Sequence, residues 1–199
     1  TKDQKVAAWE ILKDLEKTYP MNRLMEGDVG SGKTVVALLG AVQVAKTGYQ
    51  SVFMAPTEVL ANQHFRTMSE LLGDKFLNIG LLTGSEAKFN GEIVKKAELK
   101  NKISKGEVDI IIGTHAVIQK GVHFKNLALV VLDEQHRFGV AQRAALVKNK
   151  EVVPHLLSMT ATPIPRTLAL TIYGDLDISI IKEKPKNRQK IITKVISPS

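Results

Sequence analysis

The sequence predicts an α/β fold with a mainly parallel β-sheet and helices on both faces. Three observations predict it. Short runs of apolar residues alternate with longer amphipathic segments along the 199 residues, as in strands that are joined by crossover helices. Two of the runs, 108–112 and 127–132, are apolar almost throughout, which is typical of strands that are buried on both faces. A glycine-rich segment at 27–34 also follows an apolar segment and precedes a helical one.

The first part of the chain is predicted to supply three helices and two strands. Apolar residues at helical spacing predict a helix over 3–18. A short strand near 22–26 leads through the glycine-rich segment to a helix over 33–46. Residues 51–55 are predicted to form a strand. The helix that follows runs to about residue 72, and Thr57 is its expected N-cap.

The second part of the chain is predicted to continue the same alternation. A charged helix is expected over 86–105, and its lysines alternate with glutamates such as Glu92 and Glu98. This mixture favours a solvated helix face over a surface that enters a DNA groove. The other predicted elements are an apolar run at 77–82, buried strands at 108–112 and 127–132, a helix near 139–148, a strand at 155–159 and a helix at 164–172.

The last residues are predicted to leave this domain. Residues 182–190 are charged and contain Pro185, which is typical of a linker. Residues 191–196 would then begin a strand of a further domain. Because the chain begins at Thr1 and ends abruptly, we expect a piece of a longer protein, with one domain over 1–181 and a linker with the start of the next over 182–199.

Composition narrows the classes of partner and compartment. The net charge of +8 and the sequence pI near 9.6 make an anionic partner plausible. The absence of cysteine excludes disulfides and thiolate metal sites and agrees with a cytosolic protein. The sequence has neither an apolar run of membrane-spanning length nor a signal-peptide pattern, so we expect no membrane association.

The glycine-rich segment matches a phosphate-binding loop at every fixed position of G-x-x-x-x-G-K-[ST]. The glycines allow successive backbone N–H groups to turn toward a phosphate. The ammonium of Lys33 can reach the β- and γ-phosphates of a nucleotide, and the hydroxyl of Thr34 can hold Mg²⁺. The residues predicted to bind the nucleotide are Gly27, Asp28, Val29, Gly30, Ser31, Gly32, Lys33 and Thr34.

Two adjacent carboxylates end the apolar run 127–132. A phosphate loop needs a carboxylate for the Mg²⁺ shell and a group that orients or deprotonates water. We assign Asp133 to the metal and Glu134 to the attacking water. The alternative is an acidic strand-to-loop turn, and the presence of Lys33 elsewhere in the chain favours the functional interpretation.

Three further polar residues have weaker signals. His136 could connect the carboxylates to another segment, or it could be a hydrogen-bonded structural residue. Thr160 and Thr162 follow a predicted strand and could relay the state of the nucleotide to a neighbouring side chain. The alternative for the two threonines is a threonine-rich turn.

Three segments together resemble a known family. GDVGSGKT, DEQHRFGV and MTATPIPRTLAL resemble motifs I, II and III of superfamily 2 helicases. Their sequences are similar to the motifs of the RecG family of ATP-dependent DNA helicases. The related transcription–repair coupling translocases usually have DEEH in the second motif, where this chain has DEQH. Further segments agree with the resemblance, namely APTEVLA at 55–61, LTG at 82–84, GTHAVI at 113–118 and GDLD at 174–177.

The resemblance implies a RecA-like P-loop NTPase domain, the first motor lobe, over 1–181. It implies ATP and Mg²⁺ as cofactors, a catalytic set of Lys33, Asp133, Glu134 and His136, and an adenine contact from Gln4. Nucleic-acid contacts are implied at Thr57, Thr83, Thr114 and His115. Arg166 could contact DNA, brace the cleft between lobes or form a surface salt bridge. Small hydroxyls and backbone N–H groups suit phosphate contacts, which do not read sequence.

The resemblance also implies a function for the longer protein. We expect an ATP-dependent helicase of the bacterial cytosol that works as a monomeric motor and remodels branched DNA, such as stalled forks and four-way junctions, in recombination and repair. The arginine finger would come from a second lobe beyond residue 199, so the 199 residues alone should be nearly inactive. The alternatives are the motor lobe of a transcription–repair coupling translocase, a nucleotide-sensing DNA-binding module without hydrolysis, and a P-loop kinase for small molecules.

Overall fold

The computed structural model of the chain describes residues 1–73, 77–119, 121–133, 153–162 and 176–183. Within those residues nine strands form one sheet in the order β5-β4-β3-β6-β2-β7-β8-β1-β9. The strands are β1 Asn22–Gly27, β2 Gln50–Met54, β3 Ile79–Leu82, β4 Ala87–Phe89, β5 Glu92–Ile93, β6 Ile110–Gly113, β7 Leu127–Asp133, β8 His155–Thr160 and β9 Asp177–Ile181. All pairs except β3–β4 and β4–β5 are parallel. The predicted mainly parallel sheet is therefore confirmed.

Helices cover both faces of the sheet, as the sequence predicted. The described helices are α1 Lys2–Leu15, α2 Lys33–Lys46, α3 Glu58–Leu72 and α4 Lys96–Lys105, with a 3₁₀ turn at His115–Ile118. Strand residues alternate between two cores, so Phe53 packs on the side of α1, α2 and α3, whereas Val52 packs on the side of α4 and the 3₁₀ turn. None of the described helices is both long and apolar enough to cross a membrane.

A buried ionic network fixes α1 against the sheet. The guanidinium of Arg23 on β1 donates to Asp14 of α1 at 2.7 Å and to the hydroxyl of Ser179 on β9 at 2.9 Å. Burial opposes ionisation of Asp14, but hydrogen bonds from Arg23 and Lys17 outweigh it, and the pKa of this carboxyl lies below its ordinary value. The network holds the helix that carries Gln4 in one position relative to the strand that leads into the phosphate loop.

Two predicted features are wrong or incomplete. The segment 86–105 is not one helix, because β4 and β5 form a hairpin before α4 begins. Asn90 and Gly91 connect the two strands with φ values of 48° and 90°, the conformation that an Asn-Gly hairpin turn adopts. The mixture of Lys and Glu suggested a helix and concealed this turn. Strand β9 was also absent from the predicted elements, although it pairs with β1 over five residues.

Gly113 permits a close approach between β6 and β3 at the end of the sheet. A Cβ at this position would lie 2.1 Å from the carbonyl oxygen of Leu82 and 2.5 Å from Cγ1 of Val117. Because neither the backbone nor the buried valine can move aside, we expect Gly113→Ala to lower the free energy of unfolding by about 3 kcal/mol or more. Chemical denaturation measures this loss.

The matched control for Gly113→Ala is Gly48→Ala. Gly48 has a φ of +82°, but nothing lies within 4 Å of its Cβ position. Its substitution should therefore cost only the left-handed backbone strain of about 1–2 kcal/mol. Equal losses in the two variants would contradict the close approach at Gly113.

Candidate functional site

The carboxyl edge of the sheet carries nearly all of the predicted site residues that the structure describes. The central strands run parallel, with Leu82, Gly113 and Met54 in register across β3, β6 and β2. On the other half of the edge, Asp133 on β7 pairs with Met159 on β8. The edge therefore has two halves: strands β3, β6 and β2 end beside the predicted nucleic-acid residues, and strands β7, β8 and β1 end beside the predicted nucleotide residues.

The phosphate loop folds into a compact turn between β1 and α2. Gly30 and Gly32 have φ values of 78° and 88°, which side chains rarely tolerate. The ammonium of Lys33 donates to the carbonyl oxygens of Gly27 at 2.6 Å and Asp28 at 3.0 Å. The Lys33 ammonium thus lies against the backbone of the loop, where it can also bind a phosphate.

The loop fits a phosphate group by several independent observations. The N-terminus of α2, a 14-residue helix, has no side-chain cap, so its first N–H groups remain available to an anion. The hydroxyl of Ser31 is buried and has no hydrogen-bond partner within the part of the chain that the structure describes. A Cβ on Gly27 would lie 2.6 Å from this hydroxyl. The loop therefore has unused donors, a cation and a shape that only glycine permits.

Gln4 lies directly against the phosphate loop, and its predicted contact with adenine stays a prediction. Its Nε2 donates to the carbonyl oxygen of Ser31 at 2.7 Å. A Cβ on Gly32 would lie 2.3 Å from this Nε2, so the contact also depends on a glycine at the start of α2. Thr1 and Gln4 form a capping box that begins α1. The structure thus brings the first turn of α1 and the loop into one site.

Asp133 ends β7 and contacts a histidine that the sequence analysis did not select. Nε2 of His64, on α3, lies 2.7 Å from Oδ2 of Asp133. Both side chains are mostly buried, with 12% and 13% of their surface exposed. Only the order of the strands reveals this pair, because α3 follows β2 and β2 is the neighbour of β7. The sequence alone contained no signal for it beyond a histidine in an amphipathic helix.

The described residues offer a small set of ligands for a divalent cation. No group of three or more histidines and carboxylates that could hold a metal occurs within the described ranges. Mg²⁺ usually binds through one or two carboxylates together with substrate phosphates. Asp133 and Thr34 are the described residues that we predict for this role.

Thr160 and Thr162 lie at the end of β8, the strand between β7 and β1. Their hydroxyls are 2.9 Å apart, and the backbone N–H of Thr162 donates to Thr160 at 3.2 Å. The hydroxyl pair therefore belongs to a local turn. This turn ends β8, which lies between β7, the strand of Asp133, and β1, the strand that leads into the phosphate loop. Their role as a relay stays a prediction.

Several predictions fall outside the described residues. These are the roles of Glu134, His136 and Arg166, the helices near 139–148 and 164–172, and nearly all of the linker and strand over 182–199. The assignment of Glu134 rests on its position next to Asp133 in the sequence and stays a prediction.

The predicted nucleic-acid residues form a row across β2, β6 and β3. Thr57 caps α3 by accepting from the N–H of Leu60 at 3.3 Å. Thr114 is the N-cap of the 3₁₀ turn that contains His115, without a side-chain capping bond. Thr83 is only 1% exposed, and its hydroxyl accepts from the N–H of Glu86 at 3.1 Å. The surface of the Thr83 turn is thus formed by the exposed residues that follow it, 84 and 85.

The first turn of α3 is attached to the Thr83 turn. The carboxylate of Glu58 accepts from the N–H of Ser85 at 3.0 Å and from the Ser85 hydroxyl. These hydrogen bonds lower the pKa of Glu58 below its ordinary value. The contact joins two of the segments that resemble nucleic-acid motifs.

Comparison with known proteins agrees with this site. The family model described as DEAD/DEAH box helicase matches residues 1–171. The chain is 54% identical over 196 residues to the ATP-dependent DNA helicase RecG of Aquifex aeolicus. The aligned region covers 98% of this chain and 24% of the relative. The chain is 51% identical over 197 residues to RecG of Synechocystis, which covers 99% of this chain and 23% of the relative. The chain thus spans about a quarter of the length of these relatives.

A solved structure shows the same fold. The structure of RecG bound to a three-way DNA junction matches with a TM-score of 0.79 and 42% identity, over 96% of this chain and 25% of that chain. The resemblance that the motifs indicated is therefore confirmed, and so is the RecA-like architecture.

Proposed function

Since the chain belongs to the DEAD/DEAH box helicase family, we propose that it is the ATP-binding motor lobe of a RecG-type, ATP-dependent DNA helicase. The observation that carries the proposal is the divided edge of the sheet. One half presents the phosphate loop and Asp133, and the other half presents Thr57, Thr114 and the exposed residues 84 and 85 of the turn that begins at the buried Thr83. A motor needs both a nucleotide site and a nucleic-acid surface on one rigid sheet.

In this proposal each residue of the nucleotide half has a defined role. Lys33 holds the β- and γ-phosphates of ATP, and Thr34 and Asp133 hold the Mg²⁺ shell. Glu134 orients and deprotonates the attacking water, and His136 supports the carboxylates. Bound MgATP supplies the phosphoryl group whose transfer to water drives the motor. Thr160 and Thr162 relay the state of the site.

The nucleic-acid half binds the phosphate backbone without reading the bases. The hydroxyls of Thr57 and Thr114 at the ends of β2 and β6 suit phosphate oxygens, and the net charge of +8 favours an anionic partner. Because the RecG structure that matches this chain with a TM-score of 0.79 is bound to a three-way DNA junction, we propose branched DNA as the substrate. Such a protein works as a monomer in the bacterial cytosol, where the chromosome lies.

Lobe one covers residues 1–181 in this proposal, and the chain from residue 182 leads to a second lobe. The arginine that stabilises charge on the γ-phosphate comes from that lobe. Such an arginine raises the rate of related reactions by about 10³–10⁵-fold. The test is ATP turnover by the full-length protein with duplex, forked and four-way DNA. We expect the largest stimulation with branched DNA, whereas salt-sensitive DNA binding without turnover would favour a nucleotide-sensing module.

We expect Gln4→Ala to weaken ATP binding and to reduce discrimination between ATP and GTP. The substitution removes the amide that would read adenine and also the 2.7 Å bond to Ser31 in the phosphate loop. Loss of one or two hydrogen bonds corresponds to about a 10-fold weaker affinity. Competition binding with ATP and GTP measures both effects.

The matched control is Gln43→Ala, which removes an exposed glutamine from α2. It should leave both affinities unchanged. If Gln4→Ala weakened ATP and GTP binding equally, Gln4 would only support the loop and would not read the base.

A further inference from the structure

Helix α3 spans the two halves of the sheet edge. Its first turn carries Glu58, which is hydrogen-bonded to Ser85 on the nucleic-acid side. About two turns later His64 reaches Asp133 on the nucleotide side. Six residues of α-helix correspond to about 9 Å, so one rigid element connects the two contacts.

Nε2 of His64 and Oδ2 of Asp133 lie within hydrogen-bond distance, 2.7 Å apart. If Asp133 serves as the metal-binding carboxylate, it can only accept, and the N–H of His64 is the donor. The bond uses one carboxylate oxygen and leaves the other for the metal shell.

The imidazole is itself held in place by packing. The ring of Phe53 on β2 lies 6.3 Å from the His64 ring at an interplanar angle of 54°. Only 12% of the His64 side chain is exposed. Charge-assisted hydrogen bonds in such sheltered positions are stronger than in water, so His64 limits where the carboxylate of Asp133 can point.

We propose that His64 is a positioning residue for the metal-binding carboxylate of Asp133, and that α3 links this carboxylate to the Glu58–Ser85 contact on the nucleic-acid half. The inference rests on the proposed function, because Asp133 needs orientation only if it serves MgATP. Outer-shell partners of metal ligands typically contribute about 10- to 100-fold in metal affinity or activity. In this arrangement, a DNA strand that breaks or shortens the contact between Glu58 and Ser85 changes the orientation of the Asp133 carboxylate.

The first test compares His64→Ala and His64→Gln in the full-length protein. Mg²⁺ is titrated against a fluorescent ADP analogue, and Mn²⁺ binding with ADP is followed by electron paramagnetic resonance. We expect His64→Ala to weaken the metal affinity in the ternary complex by about 10- to 100-fold. Binding of the analogue without metal should be unchanged. His64→Gln keeps an amide donor and should recover part of the affinity.

The matched control is His123→Gln, because His123 is exposed and precedes β7 at the opposite end of that strand from Asp133. It should behave like the wild type. If His64→Ala matched the wild type in the metal titration, or if His64→Gln recovered nothing, the positioning role would be overturned.

The link through α3 is tested by a double-mutant cycle with Glu58→Ala and His64→Ala. The measured quantity is the ratio of DNA-stimulated to basal ATP turnover at saturating Mg²⁺. We expect each single variant to lower the ratio and the double variant to be no worse than His64→Ala alone. Independent, multiplicative effects would overturn the link.

The outcomes also separate this inference from the proposed function. A wild-type protein without DNA-stimulated turnover would refute the motor assignment. A stimulated wild type with unaffected His64 and Glu58 variants would refute only the role of α3.

Discussion

Lys33→Ala is expected to abolish tight nucleotide binding by the full-length protein. The substitution removes the one cationic side chain of the loop over 27–34, and hydrogen bonds to charged groups are worth about 1.5–3 kcal/mol each. Loss of contacts to two phosphates should therefore weaken MgATP affinity by more than about 100-fold. Isothermal titration with a non-hydrolysable ATP analogue measures the change.

The fold should survive this substitution. In the structure the Lys33 ammonium donates to the carbonyl oxygens of Gly27 and Asp28, and both residues are partly exposed, so water can replace the ammonium. Lys46→Ala is the matched control, because Lys46 is an exposed lysine in the last turn of the same helix. Wild-type affinity in Lys33→Ala would refute the phosphate-loop assignment, and so would an equal loss in Lys46→Ala.

The parts of the fold that were predictable from the sequence are those that local chemistry determines. The glycines of the phosphate loop, the cap at Thr57 and the continuous apolar strands each specify their own conformation within a few residues. The hairpin at Asn90 and Gly91 was equally local, and its turn signal was overlooked because the surrounding charges are typical of a helix. Strand β9 is held by pairing with β1, which lies about 150 residues earlier in the chain.

The parts of the site that were not predictable depend on the order of the strands. His64 reaches Asp133 only because β2 and β7 are neighbours in the sheet, although they are separated by more than 70 residues in the sequence. The burial of Thr83 likewise depends on the turn that returns its hydroxyl to the chain at Glu86. A motif therefore indicates which residues lie at the carboxyl edge of the sheet, whereas the order of the strands determines which of them are in contact.

The divided edge gives a physical reason for the arrangement of motifs along the chain. Each parallel strand delivers one segment to the same edge, and the strand order β3-β6-β2-β7-β8-β1 places the segments of Thr57, Thr83 and Thr114, which are predicted to contact nucleic acid, on one side of β7 and the phosphate loop on the other. Helix α3 crosses this boundary through Glu58 and His64.

Glu134→Gln should separate binding from chemistry. Glu134 directly follows Asp133 in the sequence and lies outside the described residues. A glutamine keeps the size of the side chain but cannot take a proton from water, so ATP turnover should fall by about 10²–10⁴-fold. MgATP affinity should stay within a few-fold of the wild type. Steady-state turnover and equilibrium binding of the same preparation measure the two quantities.

Asp133→Asn provides the contrast that tests the division of roles between the two acids. It should weaken Mg²⁺-dependent nucleotide binding as well as turnover, because the amide is a poorer ligand for a hard cation. Glu16→Gln, at an exposed position just after α1, controls for the loss of one carboxylate and should change neither quantity. Intact turnover in Glu134→Gln would contradict the water-activation role of this residue. If Glu134→Gln instead lost as much MgATP affinity as Asp133→Asn, Glu134 would belong to the metal shell.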